Sequence, residues 1–540
     1  MVNLTELELG SNQLSNVEPL SNMFKLISLK LWKNQITNIK PLSNMTNLSV
    51  LNLNTNQITD LQPCSNMINL TILQANNNQI SSIESLQNLN KLTTLKLGNN
   101  VIQNVQQLRN MINLKELQLQ QNSIKDIDSL NRMVKLTNLQ LWENQITNIE
   151  PLRTMVNLTV LRLSKNKVSN IEPLRNMVNL TELWLNFNQI SDINPLSNLI
   201  NLKNLQLIVN QINDVSPLRN LVKLTELWLS QNMISNIEPL SNMINLSVLD
   251  ISINKISNIA PLSNMVKLTQ LGLTSNKISS VEHLRNMVKL TSLKLQGNQI
   301  TSIESLMNIV KLKQLYLQNN KISNIESLKN MINLTVLRLT SNKITSIEPL
   351  SNIVNLTSLG LASNQITNIE QLRNLVNLSQ LGLNSNKIVN IEPLLNMINL
   401  NELKLDSNQI LSIEPLKNLV NLVGLWLDSN QVTDLDALKN MQSLSILGLS
   451  SNQIENITPL KNMISLSELN LSANKISNLK PLTNLINLMS LQLNKNKIDN
   501  IDALCYLQNL TVLQIEENQI SDYSPIQNHS NYNDFITDLK

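Results

Sequence analysis

Residues 4–25 read LTELELGSNQLSNVEPLSNMFK, and residues 26–47 read LISLKLWKNQITNIKPLSNMTN. The same 22-residue pattern continues through 24 repeats, to residue 531, with no insertion or deletion. We number its 22 positions as slots, starting from Leu4; slots 1 and 4 are then Leu, and slot 9 is Asn, in every repeat. Self-similarity at a fixed period predicts a solenoid, in which each repeat packs on its two neighbours.

The first part of each repeat has the alternation of a short β-strand. Slots 1, 4 and 6 are apolar, whereas slots 3, 5 and 7 are mostly polar. Because successive side chains of a strand point to opposite faces, slots 1, 4 and 6 are expected in the core and slots 3, 5 and 7 on the exposed face. Stacked repeats would pair these strands into one parallel sheet that lines the inner, concave side.

The rest of the repeat has the features of a return path around the core. At slot 9 the chain turns away from the sheet, and a column of buried Asn amides can bond the backbone groups left there, since an unpaired buried polar group costs roughly 1–3 kcal/mol. Slots 11, 14, 17 and 20 return apolar side chains to the core. All 15 prolines, from Pro19 to Pro525, stand at slot 16. Proline there predicts the first turn of a short 3₁₀ or α helix on the convex side.

The pattern LxxLxLxxNxIxxIxPLxNMxN resembles the 22-residue class of leucine-rich repeats, which is shared by bacterial internalins and by the nuclear regulatory subunit of type-1 protein phosphatase. The resemblance implies an α/β solenoid, a leucine-rich-repeat array with a concave parallel β-sheet and short 3₁₀ or α turns on the convex side. It also implies that another protein binds along the concave face. The repeated residues are those that build the coil, so the resemblance assigns no partner-contacting residue.

The sequence predicts one solenoid over residues 1–531, with the last repeat and a C-terminal cap over residues 510–540. The cap is expected from Tyr506, Tyr523, Tyr532 and Phe535, which are four of the seven Tyr and Phe residues. The N-terminus lacks a cap, because Met1 to Leu4 read like the middle of a repeat. We therefore expect a partner or self-association to cover that end, or a truncated N-terminus.

Composition argues against several classes of function. With 42 Lys and Arg against 38 Asp and Glu and no long run of one sign, no basic stripe for nucleic acid is expected. No apolar stretch approaches 18 residues, so no membrane insertion is expected, and no secretory signal begins the chain. The two cysteines lie too far apart to pair. Cys64 replaces a core Leu and should be buried, whereas Cys505 replaces a surface residue.

No set of residues predicts catalysis or a cofactor. The two histidines, His283 and His529, stand about 11 strands apart, so each is expected to be structural. The carboxylates that recur at slot 15, such as Glu150 and Glu172, should line the convex surface and complement a helix N-terminus. The eight glycines form no phosphate-binding loop. We therefore predict that the chain is not an enzyme and needs no cofactor or metal.

The residues that vary between repeats predict where a partner binds. Three tryptophans stand at slot 5 and two, Trp32 and Trp142, at slot 7, so all five should point out of the core. Exposed Trp is typical of binding hot spots, although drift in a repeat array is the alternative. The densest group lies in repeats 9 to 12. The predicted protein-binding residues are Trp184, Phe187, Ile208, Val209, Trp228, Asp250, Ile253, Tyr316 and Trp426.

The last of these residues belongs to a second, weaker group. Trp426 lies beside Lys404, Asp406 and Asp428, and Gly424 and Gly448 are expected to open space around it.

The sequence thus favours a cytoplasmic or nuclear scaffold or adaptor that grips a protein partner on its concave face, with a phosphatase-regulatory subunit as the role that the resemblance suggests. The alternative is an internalin-like surface or secreted adhesin, located outside the cell, whose signal sequence is missing from this chain. The enzyme class is the least favoured.

Overall fold

The fold is described from a computed structural model of the protein, which describes residues 3–527 and 529. The chain divides into two units, Met1–Gly272 and Leu273–Lys540. Residues 530–540, on which most of the predicted C-terminal cap falls, lie outside the described residues.

Every repeat contributes one three-residue strand, at slots 3 to 5. The first unit contains β1 Glu6–Glu8, β2 Ser28–Lys30, β3 Val50–Asn52, β4 Ile72–Gln74, β5 Thr94–Lys96, β6 Glu116–Gln118, β7 Asn138–Gln140, β8 Val160–Arg162, β9 Glu182–Trp184, β10 Asn204–Gln206, β11 Glu226–Trp228, β12 Val248–Asp250 and β13 Gln270–Gly272. The second contains β14 Ser292–Lys294, β15 Gln314–Tyr316, β16 Val336–Arg338, β17 Ser358–Gly360, β18 Gln380–Gly382, β19 Glu402–Lys404, β20 Gly424–Trp426, β21 Ile446–Gly448, β22 Glu468–Asn470, β23 Ser490–Gln492 and β24 Val512–Gln514.

Neighbouring strands pair in parallel and in register within each unit, so that each residue lies beside the residue 22 positions away. Leu183 of β9 pairs with Leu205 of β10, for example, and Leu359 of β17 with Leu381 of β18. A given slot therefore forms a straight row across the sheet. The predicted parallel sheet is confirmed, and the row arrangement is what brings distant residues together on its face.

A short 3₁₀ turn follows each strand, so the structure resolves the predicted choice between 3₁₀ and α. The turns of the first unit are Glu18–Leu20, Lys40–Leu42, Gln62–Cys64, Glu84–Leu86, Gln106–Asn110, Asp128–Leu130, Glu150–Leu152, Glu172–Leu174, Asn194–Leu196, Ser216–Leu218, Glu238–Leu240 and Ala260–Leu262. Those of the second are Glu282–Leu284, Glu304–Leu306, Glu326–Leu328, Glu348–Leu350, Glu370–Leu372, Glu392–Leu394, Glu414–Leu416, Asp436–Leu438, Thr458–Asn462, Lys480–Leu482, Asp502–Tyr506 and Ser524–Ile526. Proline, where present, stands in the first turn, as its fixed φ and missing N–H predict.

The slot-9 asparagines form the predicted ladder. Asn364 is buried; its Nδ2 donates to the backbone oxygens of Leu339 at 3.0 Å and Leu361 at 3.0 Å, and its Oδ1 accepts the N–H of Ile344 at 3.0 Å. Such an amide connects its own turn to the preceding repeat of the same unit. The apolar slots of the inner repeats are almost fully buried, whereas Leu4 of the first repeat is 38% exposed.

Two further predictions about single residues are confirmed. Cys64 is buried, which raises the pKa of its thiol to about 12 through desolvation, and Cys505 is exposed. His529 is buried in the last repeat, where its Nε2 lies 3.0 Å from the backbone oxygen of Leu507. Among the described residues, no helix is long and apolar enough to cross a membrane.

Candidate functional site

The strand register places four of the variable side chains in one row on the exposed face of the first unit's sheet. Trp184 of β9 pairs with Gln206 of β10, Gln206 pairs with Trp228 of β11, and Trp228 pairs with Asp250 of β12. The two indoles therefore stand two strands apart, roughly 10 Å. Both Trp side chains are partly exposed while the leucines on either side of them in the strand are buried. The predicted outward direction of the tryptophans is confirmed here.

The ring of Trp184 makes a cation–π contact with an arginine of the same chain. The guanidinium carbon of Arg162, from the preceding strand, lies 3.9 Å from the ring centroid. Arg162 Nε also donates to Glu182 Oε1 at 2.7 Å, and both charged side chains are about one-quarter exposed. The indole of Trp184 is therefore covered on one face by an arginine that is itself ion-paired.

The indole nitrogens are an unexpected feature of the row. Nε1 of Trp184 and Nε1 of Trp228 are buried, and neither has a hydrogen-bond acceptor among residues 3–527 and 529. A buried donor without an acceptor costs roughly 1–3 kcal/mol. Stability of the coil therefore does not explain why tryptophan stands at these two positions.

Backbone strain marks the apolar residues beside this row. Slot 8 has a positive φ in all 24 repeats, and Phe187, Val209 and Ile253 each have φ of 54°. That region is costly for residues other than Gly, Asn and Asp, by roughly 1–2 kcal/mol, and β-branched residues there are outliers. Phe187 and Ile253 are also 48% and 45% exposed, so their apolar surface is not used by the core.

Asn186 connects the row to Ile208, which precedes the strained Val209. Its Nδ2 donates to Gln206 Oε1 at 2.8 Å, and its Oδ1 accepts the backbone N–H of Ile208 at 2.8 Å. Ile208 and Val209 are half-buried beside it. We call the surface formed by Trp184, Phe187, Ile208, Val209, Trp228, Asp250 and Ile253 the tryptophan patch. The structure brings these seven predicted residues together on one unit.

Tyr316 does not join that patch. It ends β15 in the second unit, where it is half-buried and pairs with Lys294 on one side and Arg338 on the other.

The second predicted group, around Trp426, differs from the prediction in one respect. Gly424 and Gly448 do not open free space: a Cβ at Gly424 would lie 2.5 Å from the ring of Trp426, and one at Gly448 would meet the carboxylate of Asp428. The indole of Trp426 therefore packs against Gly424, and the carboxylate of Asp428 packs against Gly448. Lys404 Nζ stacks 4.8 Å from the centroid of Trp426, so this ring is covered on two sides by its own chain.

The charges around Trp426 raise one pKa. Burial, together with the nearby carboxylate of Asp428, raises the pKa of Asp406, against the lowering effect of Lys404 and of hydrogen bonds. Asp428 Oδ1 accepts the backbone N–H of Ser450 at 2.7 Å. The carboxylate of Asp428 is thus held by the backbone of the following repeat.

Several titratable groups on the turn side have structural partners. Six slot-15 glutamates pair with a cation three residues later. Arg175 Nε lies 2.6 Å from Glu172 Oε1, for example, and this hydrogen bond lowers the pKa of Glu172. This i,i+3 pairing was not foreseen from the sequence, which suggested only the helix terminus. Within residues 3–527 and 529, no group of three or more His, Cys, Asp or Glu side chains could hold a metal ion.

Sequence reasoning missed an exposed apolar ridge at slot 21 on each unit. Its uninterrupted members are Ile112, Val134, Val156, Val178, Ile200, Val222, Ile244 and Val266 in the first unit, and Val288, Val310, Ile332, Val354, Val376, Ile398 and Val420 in the second. Beside it runs a second ladder at slot 22, in which Asn201 Nδ2 donates to the Val178 backbone oxygen at 2.9 Å and Lys223 Nζ to Asn201 Oδ1 at 2.8 Å. The unbroken run of Val and Ile was the available signal.

Comparison with known proteins supports the repeat assignment. A family model described as leucine-rich repeats, two copies, matches residues 24–65, 112–154, 156–198, 200–242, 288–330, 332–374 and 420–462, together more than half of the chain. No curated protein sequence matches the chain.

Solved structures show the same fold at low identity. A plant peptide hormone receptor, RGFR1 in complex with RGF2, is 23% identical with a TM-score of 0.78, covering 97% of this chain and 91% of that one. The Arabidopsis receptor kinase HAESA, in complex with the peptide hormone IDA and the co-receptor SERK1, is 22% identical with a TM-score of 0.70, covering 91% of each chain. The functional domain of InlJ from Listeria monocytogenes is 20% identical with a TM-score of 0.54, covering 67% of this chain and 74% of that one.

Proposed function

Because this chain belongs to the leucine-rich-repeat family, we propose that it is a protein-binding scaffold whose main contact surface is the tryptophan patch. One observation carries the proposal: two indoles stand two strands apart on an exposed face, beside exposed apolar residues in a strained backbone conformation. Large rigid aromatics lose little entropy on binding, which makes them typical hot spots. The RGFR1 and HAESA structures, which hold peptide hormones, show that this fold can bind such ligands.

The energetic cost of the patch supports this assignment. Slot 8 is Ser, Asn, Lys, Gln or another small or polar residue in nearly all other repeats, whereas here it is Phe, Val or Ile. Strained apolar residues and unpaired buried donors concentrate where binding needs them. A partner that covers Phe187 and Ile253 would remove their apolar surface from water, at about 25 cal/mol per Å².

The proposal is tested by affinity capture with the full chain as bait. The Trp184→Ala/Trp228→Ala double variant is run in parallel, with Trp32→Ala as a matched tryptophan control and Ile200→Ser as a control on the slot-21 ridge. A protein that the parent and both controls retain, and that the double variant loses, identifies the partner. A partner lost only with Ile200→Ser binds the ridge, and the proposal is then wrong.

Within this function we propose an adaptor in the cytoplasm or nucleus, with a phosphatase-regulatory subunit as the specific role. The repeat class itself supports the role, through the resemblance of its pattern to the phosphatase subunit. Purified type-1 phosphatase catalytic subunit should then bind the full chain, and Trp228→Ala should weaken that binding.

The alternative role is an internalin-like adhesin on the cell surface, which the same repeat class supports equally. Labelling of intact cells with a membrane-impermeant biotin reagent distinguishes the two roles. Labelled protein supports the adhesin, and protein protected until the cells are lysed supports the adaptor.

We further propose that the chain is not an enzyme, uses no cofactor and binds no nucleic acid. The arrangement of its titratable groups supports this, because six of the turn-side glutamates are paired with cations at i,i+3. The predicted cover over the N-terminal repeat also stays a proposal, motivated by the exposure of Leu4.

A further inference from the structure

The three slot-5 tryptophans can be compared directly, because the repeat gives each the same place on its strand. At Trp184 and at Trp426, the slot-5 residue of the preceding repeat is a cation that stacks on the ring: Arg162 at 3.9 Å and Lys404 at 4.8 Å from the centroid. The two cases lie in different units, so the arrangement recurs independently. At these two positions the chain therefore covers a slot-5 indole with a cation from the preceding strand.

A carboxylate accompanies the stacked cation in both cases. Arg162 pairs with Glu182, which stands two residues before Trp184, and Lys404 pairs with Glu402 of its own strand at 2.9 Å. The pairing of a slot-5 cation with the slot-3 carboxylate of the following strand occurs once more, between Lys96 and Glu116 at 2.9 Å. A slot-3 glutamate is thus a recurrent partner for a cation at this place.

Trp228 follows the same slot-3 glutamate but has no cation at slot 5 of the preceding repeat. Residues 226–228 read Glu-Leu-Trp, as residues 182–184 do, but the position of Arg162 is taken by neutral Gln206. Gln206 Oε1 is bonded to Asn186, in the direction away from Trp228. Glu226 accepts one hydrogen bond, from Asn204 Nδ2 at 2.7 Å, and forms no ion pair within residues 3–527 and 529.

We propose that Trp228 and Glu226 form a binding site for a guanidinium group. At Trp184 the chain's own Arg162 supplies this group, whereas at Trp228 an arginine side chain of the protein partner supplies it. A planar guanidinium can stack on the indole and donate to the carboxylate at the same time, as Arg162 does. Asp250, beside Trp228 in the next strand, adds a second negative charge. The inference rests on the proposed function, since the arginine belongs to the partner bound at the tryptophan patch.

The test uses the full chain labelled with 5-fluorotryptophan, so that each indole reports by fluorine NMR. The probe is the capped peptide Gly-Arg-Gly, and its matched control carries neutral citrulline in place of arginine. The Trp228 resonance, assigned with Trp228→Phe, should shift saturably with the arginine peptide and not with the citrulline peptide. Equal responses to the two peptides, or a response no larger than that of Trp142, would overturn the proposal.

Two reciprocal substitutions sharpen the test. In Gln206→Arg the introduced guanidinium should occupy the site. The Trp228 resonance should then be shifted without peptide and should no longer respond to the arginine peptide. Arg162→Gln should empty the equivalent place, so that Trp184 gains a response to the arginine peptide. If Gln206→Arg leaves the peptide response of Trp228 intact, the proposed geometry is wrong.

Partner binding separates this inference from the proposed function. Gln206→Arg should weaken binding of a recovered partner about 3- to 30-fold, the range expected for a lost cation–π contact. Loss of binding with Trp228→Ala but not with Gln206→Arg would leave the proposed function in place and contradict the arginine site. A normal peptide response with no effect of any patch substitution on partner binding would support the site and contradict the function.

Discussion

Asn364 Nδ2 donates a hydrogen bond of 3.0 Å to the backbone oxygen of Leu339, which lies in the preceding repeat. Within each unit, slot-9 amides that follow another repeat make the same bond, as Asn56 does to Leu31 and Asn386 to Leu361, so the ladder connects neighbouring repeats. In most repeats this amide is buried, as Asn364 is. The ladder is therefore where loss of a single polar group should be felt most.

Replacing Asn364 with Ala should destabilise the chain by roughly 1–3 kcal/mol, because it strands the N–H of Ile344 and removes one of the two asparagine hydrogen bonds that the oxygens of Leu339 and Leu361 each accept. The matched control is Asn374→Ala, an exposed asparagine ten residues later, which should change stability by under about 0.5 kcal/mol. Urea unfolding followed by circular dichroism measures both. Equal losses in the two variants would contradict the slot assignment.

Val209→Asn should stabilise the coil by about 1 kcal/mol, because Asn tolerates the positive φ that strains a β-branched residue. The same substitution should weaken partner binding, since it removes apolar surface from the tryptophan patch. Ser385→Asn, at the same slot and with φ of 55°, is the control for binding: it should also stabilise the coil, because Ser is costly at positive φ as well, and it should leave partner binding unchanged. A destabilised Val209→Asn variant would show that the valine is held by packing instead.

Asp406→Asn should make the chain more stable than the parent near pH 7. Burial raises the pKa of Asp406, so the folded state binds more protons than the unfolded state above the ordinary value of 3.8, and the parent loses stability as the pH rises through that window. The advantage of the variant should vanish at about pH 3, where Asp406 is protonated in both states. Thermal unfolding at the two pH values measures the difference.

Asp214→Asn provides a control of opposite sign. Hydrogen bonds from the Ser216 hydroxyl and backbone N–H lower the pKa of Asp214, so its contribution to stability is present near neutral pH and is lost on acidification. This variant should therefore be less stable than the parent near pH 7. A stabilised Asp214→Asn would contradict the electrostatic account of both positions.

The period made the fold predictable. Slot 9 is Asn in every repeat, which fixes the alignment of the repeats. The strand at slots 3 to 5, the core slots and the proline turn then follow, because a slot must have the same structural role in all repeats. The outward direction of Trp184 and Trp228 followed from strand alternation alone. The neighbours of each residue across the sheet were likewise fixed by the 22-residue spacing.

Features that depend on side-chain packing and on local backbone conformation were not predictable from the period. Gly424 looked like open space because the sequence cannot show that the Trp426 ring lies over it. The positive φ at slot 8 was missed because Ser, Lys and Gln dominate there in place of Gly. The slot-21 ridge, by contrast, was predictable, because slot 20 was assigned to the core and its apolar neighbour at slot 21 then has to face outwards.

The most direct measurement of the central claim is calorimetric binding of the recovered partner to Trp228→Ala and to Trp32→Ala, with circular dichroism to confirm folding. Trp32 is a partly exposed tryptophan of the same unit outside the patch, and its ring rests on Gly10. The account predicts that Trp228→Ala weakens binding by at least about 2 kcal/mol, roughly thirtyfold, while Trp32→Ala leaves it unchanged. Equal affinity of the folded Trp228→Ala variant and the parent would contradict it.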